Sequence, residues 1–274
     1  MFDFHGKNIL VVGGTSGINL GIARAFAKAG GRVAVASRSQ DKVDGALKLL
    51  GADNPQVMPL GASFDVRDND AVLAGVNKVH QGLGSIDILV SGAAGNFPAS
   101  AAAMSANGFK SVMDIDLLGS FQVLKACYPL LSRPGVILQI SAPQAFVPMP
   151  MQAHVCAAKA GVDMLTRTLA MEWSGEGIRI NSIVPGPIEG TEGFDRLAPA
   201  DALKARIAQS VPLGRNGSIT DIANCALFLA SDFASYINGV VLPVDGGWSL
   251  GGASMAMTEL GQLMEKHGSR SAQK

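Results

Sequence analysis

Short runs of β-branched and apolar residues recur along this chain, each followed by a longer stretch with helical spacing. Residues 8–12 (NILVV) read as a strand. Residues 17–29 read as a helix, with Ile18, Ile22, Ala25, Phe26 and Ala29 along one face. The alternation continues with strands at 32–36, 56–60, 86–90, 135–141, 178–184 and 239–244, and helices at 40–50, 68–82, 105–131, 153–174 and 219–231. Strands that are apolar throughout and separated by helices must be buried on both faces. They predict an α/β fold with a parallel sheet covered by helices on either side. Right-handed crossovers make such a sheet doubly wound and put ligands at the carboxyl ends of its strands.

The 274 residues fit one large domain over 1–250. Within it, the Pro- and Gly-rich stretch 185–218 reads either as a substrate lid or as an ordinary surface excursion. Residues 251–274 form a tail whose Met255, Met257, Leu260, Leu263 and Met264 could make a packing helix. Hydrophobic residues are 48% and charged residues 16%, which excludes a disordered chain. Lys+Arg and Asp+Glu are both 22, so the basic excess that nucleic acid or an anionic membrane would require is missing. No uncharged apolar stretch reaches the length of a membrane span. Cys127, Cys156 and Cys225 form no CxxC pair, and His5, His80 and His267 no cluster, so no metal is expected. No targeting signal is read at either end, and the expected compartment is the cytoplasm.

The first strand runs into Gly13-Gly14-Thr15-Ser16-Gly17-Ile18-Asn19. Strand, glycine turn and helix start are the context of a dinucleotide site. Glycine lets the backbone approach a pyrophosphate, and the helix N-terminus offers free N–H groups. Alone, such a turn could simply be tight. After the second strand, Ser37-Arg38 stand where an NAD site usually has an acidic residue. A hydroxyl and a guanidinium suit the 2′-phosphate of NADPH, unless Arg38 is only an exposed loop residue. Asp65-Val66 follow the third strand, where a carboxylate could accept from the adenine amino group. Ser91-Gly92-Ala93-Ala94-Gly95 follow the fourth, and Ala93 is small enough to let a cofactor lie flat.

Together with Lys159, the NSIVPG stretch (181–186) and Asp245-Gly246-Gly247, these motifs resemble the short-chain dehydrogenase/reductase family over residues ~5–250. The resemblance implies a single Rossmann-like domain of about seven strands and a homotetramer built on the helices at 105–131 and 153–174. It also puts Pro185, Gly186, Ile188 and Thr191 beside the cofactor. The usual family site has an Asn, a Ser and a Tyr-x-x-x-Lys pair. Here Lys159 remains, but Val155 stands at the Tyr position, Ala142 at the Ser position and Asp116 at the Asn position. Valine and alanine cannot transfer a proton, so ordinary ketone reduction is not expected. The last glycine of the turn is Asn19, whose side chain is set to crowd the cofactor.

AAGNF (93–97), VMDID (112–116), HVCAAKAGVDMLTR (154–167) and PGPIEGTEG (185–193) resemble the peroxisomal-type 2,4-dienoyl-CoA reductase branch, which also lacks that Tyr and Ser. The branch implies NADPH and an acyl-CoA thioester as substrate. Its catalytic residues would be Asp116 and Lys159, holding a water that supplies the proton, with Lys159 also on the nicotinamide ribose. Asn96 and Phe97 would line the acyl pocket, Asn96 as a donor to the thioester oxygen, with Ser105 and Asn107 at its border. Arg67 and Arg196 would meet the CoA phosphates, or else be solvated surface charges. His154 points about 100° from the Val155 position and is expected to be structural or supporting rather than the acid. Two other functions stay open. One is a short-chain reductase acting on a different activated alkene or carbonyl. The other is a non-catalytic protein that binds a dinucleotide or acyl-CoA.

Overall fold

The computed structural model describes residues 2–198 and 200–251. Its apolar runs form seven strands: β1 (Asn8–Val12), β2 (Arg32–Ser37), β3 (Leu60–Ser63), β4 (Ile86–Ser91), β5 (Leu131–Ile140), β6 (Ile178–Pro185) and β7 (Val241–Val244). All pair in parallel in one sheet, ordered β3-β2-β1-β4-β5-β6-β7. The helices are α1 (Gly17–Lys28), α2 (Gln40–Asp53), α3 (Asn69–Leu83), α4 (Ala106–Val112), α5 (Gly119–Cys127), α6 (Ala153–Trp173), α7 (Glu192–Leu197), α8 (Asp201–Ser210) and α9 (Ile219–Ala230).

Strand alternation divides the core between the two faces of this doubly wound, Rossmann-like sheet. Ile9 and Val11 of β1 pack with Ile22 and Phe26 of α1, Leu50 of α2 and Ile222 of α9. Leu10 and Val12 pack with Val72 and Val76 of α3, Val123 of α5 and Leu169 of α6. Continuous apolar strands are the cost of covering both sides of a parallel sheet.

Three elements depart from the sequence reading. The third strand lies at 60–63 rather than 56–60. Pro59 has no N–H for the ladder, so pairing with β2 starts at Leu60, and Met58 is left 87% exposed. The single helix expected at 105–131 is α4 and α5 joined by a π-helical turn at Met113–Leu118, and its last residues belong to a 3-10 turn and to β5. The stretch 185–218 contains two short helices, α7 and α8, between its glycines. Of the tail at 251–274, all but Gly251 lies outside the described residues.

Among the described residues, no helix is long and apolar enough to cross a membrane. Nor do three or more His, Cys, Asp or Glu side chains among them gather into a metal site. Cys127 is buried, which pushes its thiol up to about 12.

The sheet order reverses between β1 and β4. After β1 the chain crosses to β2, on one side; after β4 it crosses to β5, on the other. The carboxyl ends of β1 and β4 therefore diverge into a crevice, and the candidate site lies there.

Candidate active site

A cleft of about 660 Å³ opens at that reversal point. Gly13 has φ +79°, and a Cβ there would lie 2.9 Å from the Ala93 nitrogen, so only glycine fits between the ends of β1 and β4. Ser16 precedes α1 without capping it through its side chain, which leaves the first helical N–H groups available to an anion. Gly13, Thr15 and Ser16 line the cleft, and Val66 and Ala93 line it further along. Gly17 and Ile18 open the helix behind them. Asn19 is nine-tenths buried, and its amide donates to the Gly92 carbonyl at 2.8 Å, which ties α1 to the end of β4.

The far end of the cleft is cationic. Ser37, Arg38, Ser39 and Lys42 line it, and neither Arg38 nor Lys42 has a carboxylate partner among the described residues. Asp65 lines it too, but its carboxylate already accepts from the Arg67 guanidinium at 3.0 and 2.6 Å. That guanidinium holds the Asp65 carboxyl below the usual carboxylate range. Arg67 is thus engaged with Asp65 and does not line the cleft, whereas Arg196 does, paired with Glu192.

Asp116 and Lys159 meet beneath the cleft. The π-helical turn carries Asp116 inward, where it is 1% exposed, and Ser120 donates to the Asp116 carbonyl at 2.6 Å. Such turns recur at functional sites because they rotate one side chain out of helical register. Gly95 N donates to Asp116 Oδ1 at 2.7 Å. Lys159, on α6, donates to the Ile140 carbonyl at 3.1 Å and sets its Nζ 3.3 Å from Asp116 Oδ2. Oδ2 receives no aligned hydrogen bond, so it keeps a free acceptor site beside an ammonium. Val155 is buried against Val112 and Ala158 and offers no polar atom. Deeper along α6, burial raises the Asp163 carboxyl, against the hydrogen bond that Ser182 donates to it at 3.0 Å.

The remaining expected residues are more dispersed. Asn96 lines the cleft. Phe97 lies against the His154 imidazole, ring centroids 4.6 Å apart. Ser105 is spent capping α4, accepting from Gly108 N at 3.0 Å, and Asn107 is exposed in the first turn of that helix. Pro185 ends β6. Gly186 and Ile188 line a separate cleft of about 460 Å³, and Thr191 faces Gly17 across the glycine turn. Lys42 and Ser120 were not singled out in the sequence, and Gly95 only as a member of the Ser91–Gly95 run. Lys42, in the first turn of α2 just beyond Arg38, is a cation at the same cleft end that the sequence displays. Nothing in the pattern marks Ser120.

The family model described as enoyl-(acyl carrier protein) reductase matches residues 12–249. The peroxisomal 2,4-dienoyl-CoA reductase of Pongo abelii is 45% identical over 245 residues, 88% of this chain and 83% of that one. The peroxisomal 2,4-dienoyl-CoA reductase of Saccharomyces cerevisiae is 43% identical over 253 residues, covering 90% and 86%. A solved short chain dehydrogenase from Bacillus anthracis superposes with a TM-score of 0.77 at 38% identity, over 88% of this chain and 96% of that one. The chain belongs to the short-chain dehydrogenase/reductase family. It is accordingly an oxidoreductase, and the family uses a nicotinamide dinucleotide. The residues fit that group: the glycine cradle at Gly13 and the uncapped start of α1 are where a pyrophosphate would lie.

Proposed function

We propose that this short-chain dehydrogenase/reductase reduces a 2,4-dienoyl-CoA to a 3-enoyl-CoA with NADPH. The observation that carries the reading is the buried Asp116–Lys159 pair beside a Val155 that cannot act as an acid. Similarity to the 2,4-dienoyl-CoA reductases supports the same substrate class.

The bound dinucleotide would supply a hydride to the far end of the diene. The displaced electron pair then collects on the thioester oxygen as a dienolate, and a proton at the carbon next to the thioester completes the 3-enoyl product. Asp116 Oδ2 and the Lys159 ammonium are suited to hold the water that gives this proton, one accepting from it and one donating to it. The water recovers its proton from solvent. Lys159 has three donors and only two protein partners, which leaves one for the water or the ribose. Arg38 and Lys42 would take the 2′-phosphate as a guanidinium and an ammonium with no competing carboxylate. Asn96 and Phe97 would border the acyl chain, Arg196 would meet the CoA phosphates, and the 185–218 segment would close over both ligands.

The reading extends to a homotetramer. Leu118, Phe121, Met164 and Met171 are exposed on α6 and on the π-turn and α5, more apolar surface than a monomer gains by displaying.

The test is the absorbance of NADPH with 2,4-hexadienoyl-CoA, with NADH and crotonyl-CoA as controls. Oxidation of NADPH by the dienoyl thioester alone supports the reading. Binding of NADPH without turnover would overturn it.

A further inference from the structure

We propose that His154 donates a hydrogen bond to the thioester carbonyl of the substrate, in a polar subsite roofed by Phe97. This rests on the acyl-thioester reading above and adds the group that receives the charge.

His154 is 0% exposed, and neither ring nitrogen has a partner among the described residues. Neutral or charged, an imidazole carries at least one N–H, so a donor is held dry and unused. Buried polar groups are hydrogen-bonded unless something outside the chain completes them. Gln152, two residues earlier and 4% exposed, leaves both its amide atoms unpaired, and Asn96 Oδ1 is likewise buried without a donor. Asn96 lies on the loop after β4, and Gln152 and His154 lie at the start of α6; the two segments are joined where Ala99 N donates to the Met151 carbonyl at 3.0 Å. Met151 itself is held at φ +67°, a left-handed backbone that a non-glycine residue adopts only when its surroundings impose it.

The subsite adjoins the reacting centre. Gly95 holds Asp116, and two residues on, Phe97 lies against His154 with the rings tilted by 50°. Two residues span at most ~7 Å. The carbonyl oxygen is two bonds from the carbon that takes the proton from the Asp116–Lys159 water, so a donor for it belongs beside the segment that holds Asp116. Apart from the Asn96 amide, which lines the cleft, the side chains around the reacting carbon offer that oxygen little. Asp116 only accepts, Lys159 keeps its third donor for the water or the ribose, and Val155 and Ala142 carry no N–H or O–H side chain. His154 fills that gap. Phe97 is 38% exposed, so its outer face is free to meet an acyl chain and its ring is the cover that yields to it.

The test uses His154→Phe, which keeps a ring against Phe97 and removes both nitrogens, and His154→Gln, which restores an N–H. His154→Phe should lower kcat about 100-fold, the effect of losing one oxyanion donor, with NADPH affinity unchanged. His154→Gln should recover part of that loss. His154→Phe should also melt higher than wild type, since two unpaired buried atoms are gone. A kcat within threefold of wild type in His154→Phe would overturn the assignment.

A binding comparison separates this from failure of the reaction itself. Wild type should bind hexadienoyl-CoA more tightly than the thioether analogue lacking the carbonyl, and His154→Phe should lose that preference. If wild type shows the preference without turnover, the reductase reading falls and the His154 subsite stands. If the preference is absent, or survives in His154→Phe, the subsite falls. Should the phenylalanine variant not fold, His154→Leu serves the same comparison.

Discussion

At the scale of single residues, Asp116 and Lys159 form a pair that stability alone does not explain. Buried ion pairs are often no better than apolar residues of equal volume, yet removing one partner costs about 3–5 kcal/mol. A pair with one unaligned oxygen suits a site that must hold something else. Asp116→Asn should therefore lower turnover at least tenfold while NADPH affinity, read by fluorescence titration, changes less than threefold. At the other end of the cleft, Arg38→Asp should shift the ratio of kcat/KM for NADPH over NADH by about 100-fold toward NADH, since a like charge replaces the partner of the 2′-phosphate. Arg38 could be picked out of the sequence because residue type and place after the second strand announce it, and Asp116 and Lys159 through the resemblance to the family's motif. The unpaired state of His154 could not, because it depends on where the 96–104 and 147–152 loops pass. Nor could the bidentate capture of Asp65 by Arg67, which is a matter of rotamers.

At the scale of elements, α7 and α8, in the Pro- and Gly-rich stretch, were not legible. Six strands, the displaced third and the helices α1, α2, α3, α6 and α9 were, because a two-sided sheet forces continuous apolar runs and crossover helices force 3.6-residue spacing. The π-helical turn was hidden for the same reason. One extra residue in a turn leaves apolar residues recurring on both sides of it, so 105–131 reads as one helix. The interruption is sustained by the Ser120 hydroxyl on the Asp116 carbonyl and by Gly119, where a Cβ would lie 2.7 Å from Val66. Ser120→Ala should destabilise the fold by about 1–2 kcal/mol in urea titration and lower turnover by letting Asp116 drift. The strand shift at β3 has the plainer cause of Pro59, whose missing N–H starts the ladder one residue later.

At the scale of the whole molecule, stability and pH are linked through Asp163. Its folded carboxyl is raised by burial. The contribution of such a group is full below the ordinary carboxylate pKa of about 3.9 and is lost as pH rises through its folded value. Asp163→Asn never ionises and should melt about 2–4 °C higher than wild type at pH 7, with the gap closing below about pH 4 in calorimetric scans. Assembly is checked by light scattering, where a homotetramer gives four times the 28.2 kDa chain. Replacing Phe121 and Met164 with Glu should reduce that mass.

The Asp116 carboxylate, which the proposed mechanism makes the proton's manager, is held by the backbone N–H of Gly95, and the next two residues are those proposed to border the acyl chain. On that reading selectivity and chemistry are not independent modules. Any attempt to widen the pocket for longer chains at Asn96 or Phe97 will retune proton delivery as well, so variants chosen for new substrates should come as correlated changes in this loop and on the π-helical turn.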